Sequence, residues 1–115
     1  IVDIENWVLD DGVPAANRFL VGQNIGFDIG FLKQLWKKCD SANSFPFGRR
    51  QLDTMIIEMF LDYCKGSFAE GYSLFNLVKK YGVKNDKAHT AEADTKATKE
   101  VFLQQVDYFK KVLNS

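Results

Sequence analysis

The sequence has no excess charge of either sign, because 15 lysines and arginines balance 15 aspartates and glutamates. Proteins that bind nucleic acid mainly by neutralising phosphates usually carry a clear excess of basic residues on one face. Any such contact must therefore be local in this chain. No apolar run approaches the ~20 residues of a membrane-spanning helix, and no N-terminal stretch resembles a signal peptide. We expect no membrane contact.

Cysteine and proline are also scarce, with two residues of each. Cys39 and Cys64 lie in no CxxC or Cys/His spacing, so we expect two reduced thiols and a cytoplasmic protein. The aromatic content of 14% argues against disorder. The length suits a single domain over residues 1–115. No initiator methionine precedes Ile1, and we therefore expect this domain to be incomplete, as part of a longer gene product.

Helical and strand periodicities predict an α/β domain with two short strands and about five helices. The strands lie within residues 18–22, predicted to be buried, and 49–54. The helices cover residues 1–9, 28–39, 55–63, 74–81 and 90–113. Ser73 and Gly82 are residue types that cap the start and end of a helix. The predicted apolar faces of the second and third helices consist of Phe31, Leu32, Leu35, Trp36 and Cys39, and of Met55, Ile56, Met59, Phe60 and Tyr63.

A first candidate site follows the first strand. Asp28 opens the next helix in this interpretation, which places its carboxylate near the carboxyl end of a strand, where α/β proteins form their sites. The alternative is that Asp28 only caps or favourably charges the helix N-terminus. Asn24, a few residues earlier, is equally well explained as a turn residue.

A second candidate site surrounds His89, the only histidine and so the only side chain that ordinarily titrates near neutral pH. Asp94 falls on the predicted core-facing side of the last helix, where a carboxylate needs a partner or a metal ion. Five helical residues would separate the two side chains by well over 100°. They can share a site only if His89 precedes the helix and folds back, which Thr90 as N-cap would allow. The alternative is a solvated histidine and a separately paired aspartate.

Together, VGQNIGFDIGFL at 21–32, HTAEAD at 89–94 and the GYSLFNLVKKYGV segment between them resemble the DnaQ-like, or DEDDh, 3′→5′ exonucleases. The resemblance spans residues 19–103 and includes the QLDT passage and the His-x4-Asp spacing. It implies an RNase H-like three-layer fold and two-metal hydrolysis that releases nucleoside 5′-monophosphates. Asp94 matches the ligand of the tightly held Mg²⁺ or Mn²⁺, Asp28 the aspartate that supports the second ion, and His89 the general base.

The sequence departs from the family at its first motif, Asp-x-Glu on a leading strand. Asp3-Ile4-Glu5 has the right letters, but its periodicity is helical and it lies too close to Asp28. We interpret it as part of the helix that precedes the first strand. The chain then corresponds to the C-terminal part of the fold, without its leading antiparallel strands, and we expect weak Mn²⁺ binding and little or no nuclease activity. The alternatives are a non-catalytic remnant that binds a protein partner, and a small helical interaction domain.

The resemblance also suggests substrate contacts at a single-stranded or frayed 3′ end of DNA or RNA. Gln23 and Asn24 are candidates for hydrogen bonds to the substrate backbone, and Phe27 either stacks on the terminal base or packs in the core. Basic residues that flank the candidate sites either contact phosphates or are ordinary solvated charges; they are Lys84 and Lys87, together with Lys79, Lys80, Arg49 and Arg50. A polymerase or another replication or repair protein, and a second copy of the chain, are candidate partners.

Overall fold

The computed structural model describes residues 2–40, 44–85 and 89–115, and it confirms a mixed α/β architecture. Two short strands form a two-stranded parallel sheet. Both cysteines are free and exposed. Within the described ranges, no helix is both long enough and apolar enough to cross a membrane. The elements are α1 (Val2–Leu9), a 3₁₀ turn (Ala15–Asn17), β1 (Leu20–Gly22), α2 (Ile25–Lys38), β2 (Gln51–Asp53), α3 (Thr54–Lys65), α4 (Leu74–Tyr81) and α5 (Ala91–Leu113).

The chain forms two compact units. The N-terminal unit contains the described residues of 1–21 and 25–52, and the C-terminal unit contains 22–24 and those of 53–115. The expectation of a single domain over 1–115 stays a prediction.

The N-terminal unit begins with the predicted helix, α1, which confirms that Asp3-Ile4-Glu5 has helical and not strand conformation. Glu5 and Val8 are buried on one side of it. Arg18 also stabilises the N-terminal unit. Its guanidinium donates hydrogen bonds to both carboxylate oxygens of Asp11 and to the carbonyl of Pro46. These contacts hold the residues before β1 against the loop before β2.

The prediction of a buried first strand is wrong, because Leu20 is half-buried and Val21 is exposed. The start of α2 also differs from the prediction, since the helix begins at Ile25 and Asp28 lies within its first turn.

The predicted apolar face of α2 is shifted as well. The buried or half-buried line consists of Ile25, Ile29, Leu32 and Trp36, at spacings of four, three and four residues. Phe31 and Leu35 lie on the neighbouring line and are exposed, as is Cys39 after the helix.

The helix caps predicted for the C-terminal unit are present in the structure. Ser73 Oγ accepts the backbone N–H of Asn76, and Gly82 ends α4 in the left-handed conformation with φ of 64°. Thr90 Oγ1 accepts the backbone N–H of Ala93 and caps α5. The helix α5 packs against both α3 and α4.

The predicted apolar face of α3 is wrong, because this helix buries polar residues instead. Glu58 and Asp62 are buried, whereas Phe60 and Tyr63 are exposed, as are Ile56 and Met59. The reason is that α4 and α5 supply partners for the carboxylates. Both Lys80 and Tyr81 donate to Glu58, which also accepts a hydrogen bond of 3.1 Å from Gln105.

Asp62 completes this buried polar network, since Lys80 Nζ lies 3.2 Å from its Oδ1 and the Tyr72 hydroxyl lies 2.9 Å from its Oδ2. Burial raises the pKa of Asp62, but the hydrogen bonds from Tyr72 and Lys80 outweigh it and hold the pKa below its usual value. Burial lowers the pKa of Lys80, but hydrogen bonds to Glu58 and Asp62 leave it raised overall. Burial and the bond to Glu58 raise the pKa of Tyr81.

Candidate active site

A pocket of about 510 Å³ in the C-terminal unit contains both His89 and Asp94. One part of its lining comes from α4 and the residue that caps it. The other part comes from the segment that leads into α5 and from the first turn of α5. The lining residues are Ser73, Leu74, Phe75, Val78, Lys79, Val83, Asn85, His89 and Asp94.

The start of α5 explains how two residues five positions apart reach one pocket. Thr90 is the N-cap, so His89 lies outside the helix, and its φ of 74° turns the chain back. The backbone N–H of His89 donates to Asp94 Oδ1 over 3.2 Å. This is the local geometry that the spacing required, with Asp94 half-buried and the histidine exposed. The catalytic roles of the two side chains stay predictions.

Asn85 is a further residue of the site that the sequence analysis did not identify. Its Nδ2 donates to Asp94 Oδ1 over 3.1 Å. Its Oδ1 is buried and has no hydrogen-bond partner in the described part of the chain. Only the three-dimensional contact between Asn85 and Asp94 reveals this pairing, because an asparagine in a polar connection is ordinarily a turn residue.

The apolar part of the α4 wall was also missed, whereas Lys79 was among the basic candidates. Leu74, Phe75, Val78 and Lys79 all lie on one side of α4, and Leu77 and the network residue Lys80 lie on the other side. The spacing of residues 74, 75, 78 and 79 is a signal that could have indicated this pocket-lining face.

Asp28 and Phe27 belong to the N-terminal unit. Asp28 lies in the first turn of α2 and is exposed, which permits both the catalytic interpretation and that of a favourable charge at the helix start. Phe27 is 68% exposed and contacts Phe31 edge to face with ring centroids 4.9 Å apart. The alternative that Phe27 packs in the core is therefore wrong.

The side chain of Gln23 makes two hydrogen bonds within the C-terminal unit. Its Nε2 donates to the carbonyl of Tyr72 over 2.6 Å, and its Oε1 accepts from the Thr54 hydroxyl over 2.5 Å. Asn24 has φ of 53°, and its backbone N–H donates to Asp53, which also caps α3. The turn interpretation of Asn24 thus holds for its backbone, while substrate contacts by both residues stay predictions.

Among the basic candidates, Lys79 lines the pocket and Lys80 is paired with Glu58 and Asp62. Lys84 is exposed and precedes Asn85 of the pocket lining, and Arg49 and Arg50 are also exposed. Lys87 lies outside the described residues.

The donor chemistry of the pocket fits a hard divalent cation. Asp94 Oδ1 already accepts two N–H groups, which leaves Oδ2 for a ligand. The Oδ1 of Asn85, another residue of the pocket lining, has no partner among the described residues. Carboxylate and amide oxygens are ligands that Mg²⁺ and Mn²⁺ accept readily. Among the residues that the structure describes, no three His, Cys, Asp or Glu side chains cluster as a metal site, so this set is a partial one.

Comparison with known families identifies the class of the domain. The RNase_T family model, which is described as an exonuclease, matches residues 12–102 and thus most of the chain. The α/β fold and this match define an exonuclease domain, and the chain belongs to the RNase_T exonuclease family. The resemblance to DnaQ-like exonucleases is thereby confirmed. No curated protein and no solved structure matches the chain.

Proposed function

We propose that the chain is a metal-dependent 3′→5′ exonuclease domain of the DEDDh type with an RNase H-like fold. It hydrolyses the terminal phosphodiester of DNA or RNA and releases nucleoside 5′-monophosphates. The observation that carries this proposal is the presence of His89 and Asp94 in one pocket of a chain that belongs to an exonuclease family.

Asp94 would hold the divalent cation through its free carboxylate oxygen, with Asn85 fixing the carboxylate through the other oxygen. By the family resemblance, Asp28 of the N-terminal unit corresponds to the aspartate that supports the second ion. When bound, Mg²⁺ or Mn²⁺ polarises the scissile phosphate and lowers the pKa of a coordinated water.

His89 would accept the proton of the attacking water. Its side chain is exposed at the pocket and its backbone is fixed by the hydrogen bond to Asp94. An imidazole can act in this way as a general base and pass the proton on to solvent.

Asp94 is the only carboxylate among the described lining residues of this pocket. A site with so few anionic ligands holds a divalent ion weakly. We therefore propose that the 115-residue chain alone binds Mn²⁺ weakly and has at most slow hydrolysis.

The test is a single-turnover assay with Mn²⁺, excess protein and single-stranded DNA or RNA labelled at the 5′ end. We expect a slow ladder of products that shorten from the 3′ end. Asp94→Asn should reduce its rate at least about tenfold, as loss of a metal ligand does.

Glu92→Gln is the matched control, because Glu92 lies on the same helical turn, is exposed and pairs only with Lys96 among the described residues. Equal rates for wild type and Asp94→Asn would refute the site assignment. Rapid degradation by the wild-type chain would refute the proposed weakness of the site.

A second candidate function is a non-catalytic remnant that binds a protein, either a polymerase, another replication or repair protein, or a second copy of the chain. Exposed apolar rows favour it, namely Phe27, Phe31 and Leu35 on α2, and Ile56, Met59, Phe60 and Tyr63 on α3. Sedimentation of the chain with and without Phe31→Glu tests the second-copy version, which requires a dimer that this charge disrupts.

A further inference from the structure

The pocket that contains His89 and Asp94 has a wall formed by α4 that the proposed hydrolysis does not use. At about 100° per residue, Leu74, Phe75, Val78 and Lys79 fall within an arc of about 140° of that helix. All four line the pocket. Leu77 and Lys80 lie outside this arc, where Leu77 is buried and Lys80 binds Glu58. Tyr81, which also binds Glu58, lies about 20° from Leu74 at the border of the two sides. Phe75 and Lys79 therefore lie away from the residues that hold the fold together.

Phe75 is the most conspicuous residue of this wall, because its side chain is 68% exposed. An exposed ring in a pocket wall offers a flat apolar surface to a ligand. Leu74 and Val78, which are half-buried beside it, extend this surface.

Lys79 adds a positive charge to the same wall. Its Nζ lies 5.6 Å from the centroid of the Phe75 ring. It has no carboxylate partner in the described ranges, whereas its neighbour Lys80 is paired with Glu58 and Asp62. A ring for stacking beside an ammonium without an anionic partner matches the two parts of a nucleotide, a base and a phosphate.

We propose that the Phe75–Lys79 wall is a nucleotide-binding subsite, in which a nucleobase contacts the Phe75 ring and Lys79 contacts a phosphate. This inference rests on the proposed function, because it places one nucleotide of the substrate, or the released mononucleotide, next to Asp94. The pocket volume of about 510 Å³ lies within the range of about 300–1,000 Å³ that is usual for small-ligand sites.

The test compares the binding of adenosine 5′-monophosphate and ribose 5-phosphate by titration calorimetry, since the two differ only in the base. We expect wild type to bind the nucleotide about tenfold more tightly, as one stacked base provides. Phe75→Leu should abolish this preference and Phe75→Tyr should keep it. Phe68→Leu is the matched control, because Phe68 is 63% exposed and lies outside the pocket lining.

Lys79→Met should weaken both ligands by a similar factor and leave their ratio unchanged. Its control is Lys65→Met, because Lys65 also lies over an aromatic ring, that of Tyr108, at 5.2 Å. A base preference that survives in Phe75→Leu, or no binding of the nucleotide by wild type, would overturn the proposal.

A phosphorothioate oligonucleotide with a normal or an abasic 3′-terminal residue distinguishes the two sources of the nucleotide. If wild type binds the oligonucleotide with the normal 3′ end more tightly and Phe75→Leu does not, the subsite holds the 3′-terminal nucleotide of the substrate strand. If the base matters only for the free mononucleotide, the subsite holds the released product. The outcome is separable from that of the proposed function. Base-dependent binding together with unchanged hydrolysis in Asp94→Asn would support the subsite and reject the catalytic assignment of Asp94. Binding that does not depend on the base, together with hydrolysis that Asp94→Asn reduces, would reject the subsite and support the catalytic assignment.

Discussion

Substitution of Lys80 by methionine tests the buried polar network of the C-terminal unit. Lys80 is the cation that faces two carboxylates, and the side chains of Glu58 and Asp62 are only 1% and 5% exposed. Methionine keeps the length and the apolar stem of lysine and removes the charge. Both carboxylates then remain buried without their ammonium partner.

The expected loss of stability follows from the burial of the Glu58 and Asp62 side chains. Removal of one partner from a fully buried ion pair costs about 3–5 kcal/mol, because the other charge is left uncompensated. The Lys80 side chain is 41% exposed, so solvent screens part of the interaction, and we expect a loss of about 2–3 kcal/mol. With a urea m-value of about 1.5 kcal/mol/M, the unfolding midpoint should fall by roughly 1.3–2 M.

The assay is urea unfolding at pH 7, followed by far-ultraviolet circular dichroism. Lys96→Met is the matched control, because Lys96 is 75% exposed and pairs with Glu92, which is 81% exposed. Such a surface pair contributes at most about 0.5 kcal/mol. If Lys80→Met lost no more stability than Lys96→Met, the argument that this network holds α3 and α4 together would be refuted.

Two further predictions concern acid stability and backbone packing. Tyr72→Phe removes a 2.9 Å hydrogen bond to Asp62, whose lowered pKa stabilises the fold above about pH 4 and loses this contribution as the pH falls. The variant should therefore lose stability in urea unfolding at pH 7 and lose less at pH 3, and an equal loss at both pH values would contradict this origin. Gly48→Ala should lose about 2 kcal/mol in the same assay, because its Cβ would lie 2.8 Å from a backbone carbonyl oxygen. The control Gly26→Ala meets nothing within 4 Å and should be neutral or stabilising by up to about 1 kcal/mol, so similar losses in both variants would refute the steric argument.

Much of the C-terminal unit could be predicted because its signals are local. Ser73 and Gly82 fix the ends of α4, and Thr90 fixes the start of α5. The cap at Thr90 also places His89 before the helix, which brings it to the pocket of Asp94. Each of these features depends on residues within a few positions of one another.

The features that could not be predicted depend on distant residues. Glu58 and Asp62 lie outside the apolar face predicted for α3, and their burial is favourable because Lys80 and Tyr81, about 20 residues later, contact them. Periodicity detects an apolar face but does not show that polar residues have found buried partners. In α2 the predicted apolar face is rotated around the helix axis from the observed one. A line of residues that begins at Ile25 is buried or half-buried, whereas the adjacent line through Phe31 is exposed.

The proposed metal site of His89 and Asp94 lies in one pocket of the C-terminal unit. Mn²⁺ titration of the isotope-labelled chain tests it, because bound Mn²⁺ broadens nearby amide resonances. We expect selective broadening at His89 and Asp94, which is lost in Asp94→Asn and retained in Glu92→Gln. A titration in which the His89 and Asp94 resonances stay sharp, or in which they still broaden in Asp94→Asn, would refute the site.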